Sequence, residues 1–169
     1  MDNILENGLK IGGLFHFKLV RNGRVVDEWE DKNLITNEGL NHILNAVLHA
    51  ATQITTWYVG VFEANATPLA TWTGANVAAN ATESTAYDET TRPAYVEAAS
   101  TAQSTTNLAT PAQFTINATK TIYGAFLIST NTKADTAGVL LAAAKFSVAR
   151  AVQAGDLLLV DYTISAASA

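Results

Sequence analysis

The sequence predicts a mainly β protein, an antiparallel β-sandwich of about eight strands with one α-helix at about 37–50. Three observations predict it. Short apolar and β-branched runs recur along most of the chain, separated by Gly, Pro, Asn and Asp turn signals. Two of those runs, Trp57–Phe62 and Thr121–Ser129, are apolar on both faces, which places them inside a sheet or under cover on both sides. Only one stretch, around residues 37–50, carries a clear helical period. Short strands spaced in this way suit a jelly-roll-like arrangement.

In chain order, residues 1–12 read as an N-terminal arm and residues 13–169 as a single sandwich domain. Phe15, Phe17 and Leu19 alternate with His16 and Lys18, giving a half-buried strand. Asn22-Gly23 tolerates the positive φ of a type I′ turn, so the chain doubles back into Val25–Trp29. The helix follows. Leu40, Ile43, Leu44, Val47 and Leu48 share one face, and Thr36 or Asn37 can cap its start. Burial of those five side chains, at roughly 1.5–3 kcal/mol each, is expected to anchor the helix to a face or end of the sandwich. Asn41, His42, Asn45 and His49 occupy its other faces and form no site.

After the strand Trp57–Phe62, residues 64–93 lose all periodicity and read as a long loop. Ala94–Ala98 is a short strand, 99–112 is polar, and alternation returns at Phe114 and Ile116. Thr121–Ser129 and Val139–Val148 are strands joined by a polar turn. Ala154-Gly155-Asp156 turns the chain into the last strand, where Leu158, Val160, Tyr162 and Ile164 share a face.

Composition narrows the function classes. Of 169 residues, 49% are hydrophobic and 15% charged, which favours a packed domain over disorder. A net charge of −5 without a basic patch argues against nucleic-acid binding. The absence of cysteine removes disulfides and thiolate metal sites. No apolar run approaches the ~20 residues of a membrane helix, and the acidic N-terminus lacks signal-peptide order, so synthesis in a cytoplasm and no membrane partner are expected. His42 and His49 are two helical turns apart, too far to share a metal, and HExxH, GxSxG, P-loop and GxGxxG motifs are absent. No catalysis, cofactor or metal is therefore expected. Asp27, Glu28, Glu30 and Asp31 read as charges guarding an edge strand against stray pairing.

The candidates for function are protein-interface residues: Ile4, Leu5 and Leu9 in the arm, and Trp72, Tyr87, Arg92 and Tyr95 in or beside the long loop. Aromatic and arginine side chains anchor interfaces. The three rings could equally stack on sugars or hold the loop onto the sandwich.

Five segments carry a resemblance: Asn33–Leu40 (NLITNEGL), Thr55–Phe62 (TTWYVGVF), Thr85–Val96 (TAYDETTRPAYV), Thr121–Ile128 (TIYGAFLI) and Ala154–Thr163. Together they are similar to tailed-bacteriophage capsid decoration, or cement, proteins with a jelly-roll fold, over most of the chain from about residue 33. The first segment is also similar to the opening of phage tail proteins. The resemblance implies a non-enzymatic virion protein, made in the host bacterial cytoplasm and carried on the capsid exterior. It would be a homodimer or homotrimer and bind where major capsid protein subunits meet, reinforcing the shell. The alternative it leaves is a tail or baseplate component, glycan-binding through Trp72, Tyr87 and Tyr95.

Overall fold

The structure, a computed structural model, describes residues 8–168. Ile4, Leu5 and most of the expected arm lie outside them. The described residues form ten strands and two helices: β1 (Leu9–Arg21), β2 (Arg24–Lys32), β3 (Leu34–Ile35), α1 (Asn37–Leu48), β4 (Trp57–Phe62), α2 (Gly74–Ala81), β5 (Ala94–Tyr95), β6 (Ser104–Thr106), β7 (Ala112–Thr115), β8 (Lys120–Ile128), β9 (Leu140–Val152) and β10 (Leu157–Ser168). They build a β-sandwich. One antiparallel sheet has the order β2-β1-β10-β6, with β7 also on β10, and the other has β3-β9-β8-β4-β5.

The turn at Asn22-Gly23 has φ of 51° and 74°, as the type I′ reading requires. β1 takes in the last four residues of the expected arm, 9–12. Its early residues pair with the end of β10, from Leu9 opposite Ser168 onward, so ladder hydrogen bonds hold a stretch whose glycines erase any side-chain alternation. β3 and β6 are the two strands beyond the eight expected, and at two and three residues they are too short to show a period.

The main core lies between the sheets. Phe15, Phe17, Trp29, Phe114, Val160 and Tyr162 from one sheet meet Val59, Val61, Ile122, Leu127, Ala142 and Phe146 from the other. Phe17 stacks on Trp29 at 5.0 Å, and Phe146 meets both rings edge-on. A second, smaller core covers the far side of the β4–β8–β9 sheet. It joins Phe62, Phe126, Ile128, Leu140 and Ala143 to Trp72, Val77 and Ala81. Gly60 lies opposite Phe126 and Phe62 opposite Gly124 across the β4–β8 pair. A Cβ at either glycine would overlap the facing ring, so each glycine makes the floor on which an aromatic lies.

The second core explains why Trp57–Phe62 and Thr121–Ser129 are apolar on both faces. It also corrects two expectations. Residues 64–93 are not one long loop: they contain α2, which was hidden because its eight residues are mostly alanine and asparagine with apolar contacts only at Val77 and Ala81. The cover over the sheet comes from α2 and Trp72, not from α1.

Candidate interaction surface

α1 is the helix that the sequence marks clearly, and it turns its less apolar side towards the sandwich. Thr36 is its N-cap, accepting from the Gly39 N–H at 3.0 Å and donating to the Leu140 carbonyl at 2.5 Å. Glu38 accepts from the Gly74 N–H at 2.8 Å and from the Leu140 N–H at 2.7 Å, joining the first turn to α2 and β9. A carboxylate so placed also complements the positive helix end. Gly39 is buried, and a Cβ there would stand 2.5 Å from the Leu141 carbonyl oxygen, so glycine alone lets the helix backbone come this close to β9.

That approach fixes the rotation of the helix. Gly39, His42, Ile43 and Ala46, spaced i, i+3, i+4 and i+7, turn towards the sandwich. His42 meets Trp57 edge-on at 5.6 Å, and Ile43 packs on the main core. Leu40, Leu44, Val47 and Leu48 therefore turn outwards, with exposures of 39%, 54%, 75% and 77%. The expectation that this apolar row anchors the helix to the sandwich is corrected: the polar first turn and a glycine contact hold it, and of the row only Ile43 is partly buried.

The candidates in and beside the expected loop, Trp72, Tyr87, Arg92 and Tyr95, are inside. Trp72 is edge-on to Phe62 at 6.4 Å in the second core. Arg92 is 1% exposed and forms a two-pronged pair with Glu83, at 2.7 and 2.6 Å. It also donates to the Thr130 carbonyl at 2.9 Å and lies over the Phe126 ring. Glu83 accepts in addition from the Ala134 N–H at 2.9 Å, so the pair ties residues 83–92 to the 130–134 turn. Such a buried pair is tolerated because its polar atoms find partners.

Tyr87 is edge-on to Phe114 at 4.9 Å, with the Lys133 ammonium 3.7 Å above its ring, and burial pushes its phenol well above the ordinary value. Tyr95 donates to the Tyr162 carbonyl at 3.1 Å, and burial pushes it up to about 12. These side chains hold the loops onto the sandwich, and the Trp72, Tyr87 and Tyr95 rings offer no open face for a sugar. Leu9 alone among the described candidates is open, at 63%.

One charged cluster crosses the outer face of the other sheet. His16 on β1 bonds Asp161 on β10 through Nδ1 and Glu28 on β2 through Nε2, both at 2.8 Å. Burial opposes the charged imidazole, but the hydrogen bonds and charges of the two carboxylates outweigh it and raise its pKa. The acidic run on β2 is used: Asp27 pairs with Arg150 at 3.2 Å and Asp31 accepts from the Ser147 N–H at 2.9 Å, which closes that edge against β9. Among the described residues no group of three or more His, Cys, Asp or Glu is placed to hold a metal. Nor, among the described residues, is any helix long and apolar enough to cross a membrane.

Sequence reasoning missed the outward position of the α1 row and the Glu83–Arg92 pair. Periodicity reports that a row is apolar and does not report which side the chain covers; Gly39 was the available signal. No protein-family model and no curated protein matches the chain.

Proposed function

We propose that this chain is a non-enzymatic phage-head decoration protein that binds the capsid exterior at contacts between major capsid protein subunits and reinforces the shell. The observation that carries the reading is the position of the resembling segments, which fall on strands of both sheets and on the first turn of α1. The kind of partner follows from the resemblance. Its five segments include β3 and the first turn of α1, β4, the Arg92–Tyr95 stretch, β8 and much of β10, so it is a likeness in the scaffold itself. Many copies on a lattice then multiply modest contacts through avidity.

The test is rebinding. Purified protein is mixed with heads stripped of accessory proteins, and bound copies are counted against major capsid protein. The reading expects a fixed stoichiometry and heads that withstand heat or osmotic shock better. Absence from the heads, with labelled protein at the tail tip, overturns it in favour of the tail component.

A further inference from the structure

The apolar row of α1 belongs to a wider surface with an unusual charge pattern. The chain carries 15 acidic and 10 basic side chains, yet residues 39–62 and 98–119 contain no Asp, Glu, Lys or Arg. The fold brings the inner side of α1 and part of the second stretch to one groove. Ile43 on α1 and Ser100, Gln103, Ser104 and Thr105 line one shallow groove of about 200 Å³. On the other flank Trp57 pairs with Tyr95, which is followed by Val96, 52% exposed. Asn107 locks this ribbon in place, donating to the Val160 carbonyl at 3.2 Å and accepting from the Tyr162 N–H at 2.7 Å.

We infer that this uncharged surface, centred on Leu44, Val47 and Leu48, is where copies of this chain associate with one another. Charge decides between occupants. Each chain has a net charge of −5, so two copies repel at long range, and a meeting surface without charged groups adds no like-charge contact to that repulsion. A different partner chosen by electrostatic complementarity would be met by an array of charges opposite its own. Here the array is missing where the apolar row is densest, the pattern of interfaces between identical subunits, whose centres are apolar and poor in charge. Size decides how much surface takes part. A 12-residue helix is about 18 Å long and supplies only part of the ~800 Å² per partner of a stable interface. The 98–106 ribbon beside it supplies more, and its Ser and Thr hydroxyls desolvate at lower cost than charged groups.

The inference stands apart from head binding, because it concerns free protein in solution. Sedimentation velocity is run on the full chain at micromolar concentrations, for wild type and for the double variant Leu44→Asp/Leu48→Asp. Wild type is expected to sediment as an oligomer. The variant is expected to be monomeric, with an unchanged far-UV circular dichroism spectrum and a Kd raised by roughly a hundredfold or more. A second variant reads position without disrupting the surface. The chain has no cysteine, so Val47→Cys supplies a single thiol, and mild oxidation should join two chains covalently. Wild type that stays monomeric, or an oligomer that persists in the double variant and leaves Val47→Cys unlinked, overturns the inference. Monomeric wild type that still rebinds heads overturns self-association alone and leaves head decoration standing.

Discussion

The two helices of this protein reverse their apparent importance. α1 has a long apolar row, a sound N-cap and an acidic first turn, and it turns the row outwards. α2 is eight residues of mainly alanine and asparagine, and with Trp72 it seals the second core. The difference comes from what each presents at its docking face. α2 offers Val77 and Ala81 to a sheet face floored with phenylalanines over glycines. α1 offers Gly39, and the closest approach available to it, onto the β9 backbone, sets its rotation and leaves the leucines free. Amphipathicity thus measures how much a helix can bury, and the chain itself need not be what buries it.

The comparison breaks if the two apolar sets contribute equally to folding. Trp72→Ala empties the centre of the second core and should cost about 3–5 kcal/mol, a fall in Tm of roughly 6–20 °C by calorimetry. Leu48→Ala should stay within about 0.5 kcal/mol when the protein is dilute enough to be monomeric. Arg92→Met should be as severe as Trp72→Ala, about 3–5 kcal/mol, because it strands the Glu83 carboxylate inside. Adding Glu83→Leu should restore part of the loss in urea titrations.

A smaller effect sharpens how α1 is held. Thr36→Ala removes the cap and the bond to Leu140, and should cost about 1–2 kcal/mol although no apolar contact of the outward row changes. A null result would mean that the row, not the first turn, attaches the helix.

The smallest effect separates the two sheets. The raised pKa of His16 means that its contribution is complete below the unfolded value of 6.5 and is lost as pH rises through the folded value. Glu28, held below the usual carboxylate range by its bond from His16, contributes above its unfolded value and loses the contribution in acid. Wild-type Tm should therefore drop by roughly a degree or two more than that of His16→Asn between mildly acidic and mildly alkaline pH. Parallel profiles would show that the clamp does not hold the β2–β1–β10 face.

Much of the sandwich was legible. Alternation at Phe15–Leu19, the Asn22-Gly23 turn and the two-sided strands report local geometry and burial, which side-chain order encodes directly. The candidate residues were less legible. Trp72, Tyr87, Arg92 and Tyr95 sit in stretches without a period, and an aromatic or arginine in such a stretch reads the same whether it faces a partner or a core. What settles them is pairing across distance: Arg92 with Glu83 and the 130–134 turn, Tyr95 with the Tyr162 carbonyl. The rotation of α1 depends on one glycine meeting a strand more than a hundred positions later, which no local pattern contains.

The most direct measurement of the central claim is the urea midpoint of wild type and of Leu44→Ser/Leu48→Ser across a wide range of protein concentration. If the row lies outside the fold and is buried between copies, the wild-type midpoint rises with concentration, the variant's does not, and the two coincide at the dilute end. A variant midpoint far below wild type even at the dilute end, with neither depending on concentration, would show that the row is buried within a single chain and would contradict the account.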